Sequence, residues 1–309
     1  MNNSVDLTVD VCGVRFKTPL VLASGFMGVS QSSLSFIAKH QAGGVTTKSI
    51  GHIEREGYSN PTVLPWSCGL INAVGLSNPG VDQSLPHLKE MIVDLKTPLI
   101  ISFFADTIDN FVKVAEKINS LQPQFMELNA SCPNTKSDFG VPFALDASEL
   151  RKLVAKVRKK ITGRTKLIVK LAPNVPAIGM MGKIAEDEGA DAISAINTIP
   201  GMLISVPMRQ PILTNKTGGI SGRAIKPVAL KAVYDLYKKI KIPIIGIGGI
   251  ETGEDVLEMV MAGASLVGIG SAIYSRGLSV FSKITAEMKK IMGEEKIHNL
   301  QEIKGVIHE

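Results

Sequence analysis

The sequence lacks the residue patterns that bind metal ions or cross membranes. Its three cysteines, Cys12, Cys68 and Cys132, form no CxxC pair, and its five histidines form no HExxH motif. Neither zinc nor an iron–sulfur cluster therefore has ligands at a usable spacing, and any redox cofactor of this chain must be organic. The longest apolar stretch, Ile242 to Ile250, is far too short to span a bilayer.

The amino-terminal residues and the charge distribution argue against secretion and against nucleic-acid binding. Residues 1–6 lack the basic stretch and the apolar run of a secretory signal, so we expect a soluble, cytoplasmic protein. The net charge of +6 comes from lysines and arginines that are spread along the chain without interleaved aromatic residues. Such charges are typical of helix ends and solvated faces, and we expect no nucleic-acid partner.

Eight short apolar segments recur along the chain with helical segments between them. Near-continuous apolar runs are typical of strands covered on both faces, and their alternation with helices predicts a parallel sheet. We therefore predict an α/β fold, a (β/α)8 TIM barrel, as a single domain of residues 1–309. The predicted strands are Pro19–Ala23, Gly44–Lys48, Pro98–Phe103, Phe125–Asn129, Lys166–Leu171, Ala192–Ile196, Pro243–Ile247 and Ser265–Ile269.

A hairpin, a helical tail and three long connections lie outside the eight predicted strand–helix units. A β-hairpin at about 6–18 precedes the first strand and is expected to close the bottom of the barrel, and a helical tail occupies about 278–309. Three connections are too long for ordinary βα loops: about 40 residues after strand two, residues 130–146 and residues 197–225. All three follow carboxyl ends of strands, where barrel enzymes carry their active sites, so we expect them to carry the chemistry.

Glycine-rich turns after the last two strands predict a phosphate site. The turns Gly246-Ile-Gly-Gly249 and Gly268-Ile-Gly-Ser271 each open onto a helix, and Thr217-Gly-Gly-Ile-Ser-Gly222 precedes another. Backbone amides that no side chain obstructs bind phosphate well at such positions. One such turn alone would indicate no more than a change of chain direction.

Two lysines and one cysteine are candidate reactive groups. Lys48 and Lys170 end strands two and five, where a side chain enters the site or, alternatively, reaches out to solvent. Cys132 follows strand four in a loop with a proline, where a partly ionised thiol can act as base or nucleophile. The alternative for a solitary cysteine is a small buried apolar residue, which is the interpretation we keep for Cys12 and Cys68.

Amide side chains follow several strands at the same face. Asn72, Asn129, Asn134 and Asn197, together with Lys48, would surround an anionic substrate that makes many hydrogen bonds.

Together with these motifs, further segments make the sequence resemble the class 1 dihydroorotate dehydrogenases over essentially its whole length. The segments that carry the resemblance are Ala23-Ser-Gly25, Thr47-Lys48, Asn72-Ala-Val-Gly-Leu76, Glu127-Leu-Asn-Ala-Ser-Cys-Pro-Asn134, Val169-Lys-Leu-Ala-Pro-Asn174, Ile196-Asn-Thr198, Gly218-Gly-Ile-Ser-Gly-Arg-Ala-Ile-Lys-Pro227 and Ile244-Ile-Gly-Ile-Gly-Gly249.

The resemblance implies a set of site residues. FMN would be held by Ser24, Lys48, Ser49, Asn129, Lys170, Ile196, Gly222, Gly248, Gly249, Gly270 and Ser271. Dihydroorotate would contact Lys48, Asn72, Ala73, Val74, Gly75, Leu76, Asn129, Asn134, Asn197 and Thr198.

The resemblance also implies a mechanism in pyrimidine biosynthesis. Cys132 would take a proton from C5 of dihydroorotate while hydride leaves C6 for the flavin, which yields orotate. Lys170, near the N1/O2 edge of the flavin, would favour its reduced anionic form. Membrane-associated class 2 enzymes carry serine at the position of Cys132.

Within class 1 the chain looks most like the NAD-linked type, class 1B. The segments that resemble it are Gly218–Pro227 and Asp255-Val-Leu-Glu-Met-Val-Met-Ala-Gly-Ala264. That type implies a homodimer joined to a second subunit carrying FAD and a 2Fe–2S cluster, as a heterotetramer. The chain has no ligands for such a cluster and no GxGxxG dinucleotide motif, as this division of labour requires. The fumarate-using type, class 1A, remains an alternative, because the barrel does not specify the electron acceptor.

Other functions remain open from the residues alone. One alternative is an FMN barrel acting on another dihydropyrimidine, of the dihydrouracil or dihydrouridine type; the short tail after Arg276 leaves no room for a tRNA-binding region. A phosphate-binding isomerase and a noncatalytic flavin subunit are further alternatives. One departure from the family is Ser102-Phe-Phe-Ala105 after strand three, where relatives often have an amide-bearing or glycine-rich stretch; its phenylalanines are expected either to pack against the flavin or to lie in the core.

Overall fold

The computed structural model describes residues 5–130, 143–175 and 177–308, and its central feature is a closed barrel of eight parallel strands. Around the barrel these strands follow the order β3, β4, β7, β8, β9, β10, β15 and β16. They are β3 (Leu20–Leu22), β4 (Gly44–Thr46), β7 (Leu99–Phe103), β8 (Phe125–Asn129), β9 (Lys166–Leu171), β10 (Ala192–Ala195), β15 (Ile244–Ile247) and β16 (Leu266–Ile269). The predicted fold class is confirmed, and every predicted strand is present.

Helices connect the barrel strands and cover the outside of the barrel. They are α1 (Gln31–Lys39), α2 (Val81–Asp94), α3 (Ile108–Asn119), α4 (Ala147–Arg158), α5 (Ile178–Asp187), α6 (Lys226–Tyr237), α7 (Gly253–Met261), α8 (Ala272–Arg276) and α9 (Val280–Glu294). Short 3-10 helices lie at Phe143–Leu145, Arg223–Ile225, Leu300–Glu302 and Val306–His308. All five residues of β7 and of β8 are buried, as expected for strands between a packed barrel interior and a layer of helices.

The helix ends explain how the chain stops and restarts between strands. Thr252 caps α7 by accepting a hydrogen bond from the Asp255 backbone N–H, and the Asp255 carboxylate accepts one from the Thr252 N–H in return. Gly189 and Gly263 follow α5 and α7 with φ of +95° and +115°. Only glycine adopts such a conformation without strain, so these residues end the helix and turn the chain toward the next strand.

A β-hairpin precedes the barrel, as predicted, and packs against its amino-terminal end. It consists of β1 (Val9–Val11) and β2 (Val14–Phe16), joined by Cys12 and Gly13 at φ of +53° and +80°. Phe16 is fully buried, and its ring centroid lies 5.8 Å from that of Phe125, the first residue of β8. The hairpin therefore closes the bottom of the barrel with an aromatic side chain.

The two long connections after β4 and β10 combine into one additional sheet, which the sequence did not predict. It contains β5 (Val63–Trp66), β6 (Gly69–Asn72), β11 (Ile199–Gly201) and β14 (Gly218–Ser221), in the order β11-β14-β6-β5. A short hairpin of β12 (Ile204–Ser205) and β13 (Gln210–Pro211) extends from the same insertion. The four-stranded sheet is antiparallel and lies at the carboxyl-terminal face, so it joins two loops that are distant in sequence.

Within the described ranges, no helix is long and apolar enough to cross a membrane.

Candidate active site

Two adjoining cavities lie at the carboxyl-terminal face of the barrel. The larger, about 300 Å³, extends beneath the additional sheet, and the smaller, about 60 Å³, lies against the ends of β15 and β16. They share Ser24, Phe26, Lys170, Asn197, Thr198 and Ser221, so one elongated ligand can occupy both.

The residues expected to hold a cofactor all line these two cavities. Lining the larger one are Ser24, Lys48, Ser49, Asn129 and Lys170. Lining the smaller one are Ser24, Lys170, Ile196, Gly222, Gly248, Gly249, Gly270 and Ser271. The fold therefore brings together eleven residues that come from seven of the eight barrel strands or the loops after them.

The smaller cavity is lined by glycine-rich backbone. Gly249 has φ of +74°, and a Cβ placed on it would lie 2.6 Å from Cβ of Lys226. Among the described residues, no acceptor takes a hydrogen bond from the backbone N–H groups of Gly249, Gly270 or Ser271. Gly249 is buried and Gly270 and Ser271 are half-buried, and N–H groups without a protein acceptor at such positions favour an anionic ligand such as phosphate.

Lys226, whose backbone lies against Gly249, carries a charge that is already neutralised. Nζ of Lys226 lies 2.6 Å from Asp255 and 2.7 Å from Glu258. Burial alone would lower the pKa of Lys226, but its hydrogen bonds to these two carboxylates outweigh that effect and raise the pKa. An anion in the smaller cavity would therefore be bound mainly by backbone amides rather than by Lys226.

Between the two cavities lies a buried ammonium group. Lys170, the fifth residue of β9, has a side chain that is 6% exposed, and its Nζ lies 3.8 Å from Oε1 of Glu127. That distance is too long for a hydrogen bond, and the described residues provide no other partner for this Nζ. The N–H groups of Lys170 are thus available to a ligand in either cavity.

Hydroxyl groups connect the cavity wall to the barrel interior. Oγ of Ser49 lies 3.2 Å from Oγ of Ser24 and 2.8 Å from Oγ of Ser102, and it accepts a hydrogen bond from Nδ2 of Asn129 at 3.3 Å. Ser102 in turn donates to Oε1 of Glu127 at 3.0 Å. The polar residues of β4, β7 and β8 therefore form one connected group.

Lys48 is held at the rim of the barrel, two residues beyond the end of β4. Its backbone N–H donates to the carbonyl of Gly28 at 2.8 Å, and its half-buried side chain lines the larger cavity. Burial lowers the pKa of this lysine below its ordinary value. A cation with reduced hydration at this position favours an anionic ligand.

The additional sheet places the amide of β6 beside the loop after β10. Asn72 is opposite Gly219 in the register of β6 and β14, and its Nδ2 donates to the carbonyl of Gly219 at 3.1 Å. A Cβ placed on Gly219 would lie 2.0 Å from Oγ1 of Thr198. Only a residue without a side chain allows Asn72, Gly219 and Thr198 to pack this closely.

Most of the residues expected to contact the substrate line the larger cavity. They are Lys48, Asn72, Val74, Gly75, Leu76, Asn129, Asn197 and Thr198. Ala73 does not: it is 1% exposed and packs in a small apolar cluster with Ile71 and Leu213, because alternate residues of this extended segment face opposite sides. Asn134 and Cys132 lie outside the described residues.

The other two cysteines have different environments. Sγ of Cys12 donates to the carbonyl of Asp191 at 3.3 Å, and burial, with the nearby Asp191 carboxylate, raises the pKa of this thiol to about 11. Cys12 is therefore protonated at neutral pH and unreactive, although half-buried. The prediction that Cys68 is buried is wrong: it is exposed because it occupies the tight turn between β5 and β6.

Phe103 and Phe104 lie in the hydrophobic core, 0% and 3% exposed, and neither lines the two cavities. Phe103 packs edge-on against Phe111 of α3, with ring centroids 6.1 Å apart.

Glu127 is a polar residue of this region for which no role was predicted. It is 3% exposed in the middle of β8, and it accepts hydrogen bonds from Ser102 and from Ser194 of β10. A carboxylate inside the fully buried run Phe-Met-Glu-Leu-Asn is the signal that identifies it, because such a group requires buried partners. In the described part of the chain, no cluster of histidine, cysteine, aspartate or glutamate can hold a metal ion.

Comparisons with known proteins identify the family of this chain. Residues 6–292 match the sequence family described as dihydroorotate dehydrogenase. The catalytic subunit of dihydroorotate dehydrogenase B (NAD(+)) from Pyrococcus furiosus is 43% identical over 302 residues, which are 98% of this chain and 99% of that protein. The subunit of the same name from Methanocaldococcus jannaschii is 42% identical over 306 residues, 98% of each chain.

A solved structure shares the fold. The crystal structure of dihydroorotate dehydrogenase from Eimeria tenella, in complex with ferulenol, superposes with a TM-score of 0.84 at 25% identity. The alignment covers 99% of this chain and 90% of that one.

The close packing at Gly219 generates a test of this geometry. Gly219→Ala is expected to lower the free energy of unfolding by about 1–3 kcal/mol, because the new methyl group overlaps Thr198. The measurement is the midpoint of urea unfolding. Adding Thr198→Gly is expected to recover part of the loss, with Thr198→Gly alone as the reference. A Gly219→Ala protein as stable as the parent would show that the close approach is not as described.

Proposed function

The chain belongs to the dihydroorotate dehydrogenase family, and on that premise we propose that it oxidises dihydroorotate to orotate in pyrimidine biosynthesis, with FMN bound in the two adjoining cavities. The observation that carries the proposal is the convergence of cofactor and substrate residues. Eleven residues expected to bind FMN and eight of the ten expected to bind dihydroorotate line the same pair of cavities.

The residues present suit FMN. The three unpaired N–H groups of Gly249, Gly270 and Ser271 favour the phosphate, and the shared residues between the cavities leave a continuous path for the rest of the molecule. Lys170 offers its N–H groups to a carbonyl or ring nitrogen of the ligand. When bound, FMN supplies the hydride acceptor that the amino acids of this chain cannot provide.

The larger cavity suits dihydroorotate, a ring with imide groups and a carboxylate. Lys48 provides the positive charge, and Asn72, Asn129 and Asn197 provide amides that both donate and accept. Because Asn72 and Thr198 are joined through Gly219, the two loops hold these groups at a constant separation. Such positioning aligns the C5 and C6 hydrogens with the groups that remove them.

We assign the general base to Cys132, which takes the proton from C5. It lies outside the described residues, and the support is its sequence position: Ala130 directly follows β8, and Cys132 is two residues further on. In the described chain, Cys12 is protonated at neutral pH, and Cys68 is exposed in the turn between β5 and β6 and lines neither cavity. We also place Asn134, outside the described residues as well, near the substrate.

The electrons leave through a partner subunit in this proposal. The relatives are named catalytic subunits of an NAD(+)-linked enzyme, and this chain matches them over nearly their whole length. We propose that a second subunit carries FAD and a 2Fe–2S cluster and delivers electrons to NAD, in a heterotetramer built on a homodimer. Fumarate as acceptor is the alternative, and the cytoplasmic location stays a prediction.

The decisive experiment is anaerobic reduction of the bound flavin. Dihydroorotate is expected to bleach the flavin absorbance of the purified chain, whereas dihydrouracil is not.

Cys132→Ser is expected to retain FMN, but its flavin is expected to be reduced far more slowly at neutral pH, because a hydroxyl ionises much less readily than a thiol. Unchanged reduction in that variant would remove Cys132 from the mechanism, and no bleaching of the parent would refute the proposed substrate. Reoxidation by fumarate, but not by NAD with a partner subunit, would favour the alternative acceptor.

Gly249 provides a test of the phosphate site. Gly249→Ala forces a side chain into a conformation with positive φ and against Lys226, so FMN affinity is expected to fall about tenfold or more. The measurement is the dissociation constant of FMN for the apoprotein. The matched control is Gly293→Ala on the exposed face of α9, where a Cβ meets nothing within 4 Å. Equal affinities for the two variants would contradict the site.

The lowered pKa of Lys48 predicts a pH dependence. Below that pKa the lysine is charged and attracts the substrate carboxylate; as pH rises through it the charge is lost, at a lower pH than for an exposed lysine. Losing a charge-assisted hydrogen bond of about 1.5–3 kcal/mol raises KM roughly tenfold or more. KM for dihydroorotate is measured from neutral to alkaline pH.

In Lys48→Gln, KM is expected to be high and not to show this rise. The control is Lys304→Gln, which removes another half-buried lysine with a lowered pKa, hydrogen-bonded to Ser265. That variant should keep the pH dependence of the parent. A Lys48→Gln enzyme with the parental KM profile would exclude Lys48 as the carboxylate partner.

A further inference from the structure

Glu127 lies in the barrel directly below the proposed flavin site, and the proposed function does not use it. It is two residues before Asn129 on β8, so the two side chains point to the same side of the strand. Its carboxylate accepts from Ser102 at 3.0 Å through Oε1 and from Ser194 at 2.9 Å through Oε2. These donors come from β7 and β10, so the carboxylate spans the interior between three strands.

The charge of Glu127 is balanced by Lys170. Their charged atoms are 3.8 Å apart, and both side chains are more than nine-tenths buried. An isolated charge in such a place is very costly, so each of the two groups permits the other to be ionised. The ammonium group that faces the cavities therefore belongs to a neutral pair and is not a lone positive charge.

Glu127 also determines the direction of the hydrogen bonds around Ser49. An ionised carboxylate can only accept, so the single hydroxyl hydrogen of Ser102 is directed to Glu127. Ser24 gives its hydrogen to the Thr47 carbonyl, so Ser49 donates its own hydrogen to Ser102 at 2.8 Å or to Ser24 at 3.2 Å, and in either case its oxygen accepts from Nδ2 of Asn129. A chain of hydrogen bonds thus runs from the Glu127 carboxylate through Ser102 and Ser49 to the Asn129 amide at the cavity wall.

We propose that Glu127 is a positioning residue for the flavin site, which balances the charge of Lys170 and orients Asn129 through Ser102 and Ser49. The proposal rests on the proposed FMN function and adds to it a control of flavin reduction potential. A lone ammonium near the flavin would favour the reduced anionic form; its pairing with Glu127 moderates that preference.

The experiment measures the midpoint potential of bound FMN. Glu127→Gln keeps the size of the side chain but removes its charge, so Lys170 is no longer balanced and the potential is expected to rise. Glu127→Asp keeps the charge, and its potential is expected to stay near that of the parent even where shortened contacts with Ser102 and Ser194 reduce stability. If the role of Glu127 were purely structural, Glu127→Asp would change the potential at least as much as Glu127→Gln does.

The matched control is Glu186→Gln. Like Glu127, Glu186 is a carboxylate with a lysine partner, Lys183. It is partly buried, and it accepts hydrogen bonds from the backbone N–H groups of Lys241 and Ile242. It lies near the amino-terminal end of β15, away from the two cavities. Its replacement is expected to leave the potential unchanged.

A second background tests whether Glu127 acts through Lys170. In Lys170→Met there is no ammonium for the carboxylate to balance, so adding Glu127→Gln is expected to shift the potential much less than it does in the parent. The double variant contains neither buried charge, and it therefore remains measurable if Glu127→Gln alone does not fold.

Two outcomes would overturn the proposal: an unchanged potential in flavin-loaded Glu127→Gln, or an equal shift with and without Lys170. Failure of the proposed function looks different. In that case the parent chain would bind no FMN, or its bound flavin would not be reduced by dihydroorotate, and this is established before any variant is compared. Absence of FMN binding would overturn both proposals, whereas absence of reduction by dihydroorotate would leave the measured potentials to decide on Glu127.

Discussion

Closure of the parallel sheet between its first and last strands is the constraint on which the site depends. The pairing of β3 with β16 sets Leu22 beside Ile269, and the hydrogen bond from the Ala23 N–H to the Ile269 carbonyl continues it toward the rim. Without this closure, Ser24 and Gly270 would lie at opposite edges of an open sheet. With it, all carboxyl ends of the strands meet at one rim, and residues almost 250 positions apart in sequence line one cavity.

A second level of organisation comes from the insertions. An isolated loop of the length seen after β4 would bring an asparagine to the barrel rim without a defined position. Here β6 pairs with β14, and this register places Asn72 beside Gly219. The side chains that surround the larger cavity are thereby attached to a sheet. The backbone hydrogen bonds of this sheet offset the conformational entropy lost on ordering the loops, so ligand binding does not have to offset it.

Much of this was accessible from the sequence, for identifiable reasons. Apolar runs such as Ile244–Ile247 predicted the barrel strands, and lysines or glycines directly after such runs predicted the site residues. The pairing of β6 with β14 was not accessible, because it joins short segments that have no strong strand pattern and are far apart in sequence. The burial of Ala73 and the exposure of Cys68 follow from the same sheet, and the partners of Glu127 come from β7 and β10, so none of them could be predicted before these strands were placed.

The glycine-lined end of the cavity has a consequence for how this site tolerates change. Its unpaired donors belong to the main chain, and the adjacent Lys226 is already held by Asp255 and Glu258. Exchange of one side chain for another at most surrounding positions therefore leaves the anion-binding groups in place. The cofactor end of the barrel therefore depends on the path of its backbone and on glycines such as Gly249, whereas the substrate end depends on the chemistry of particular side chains.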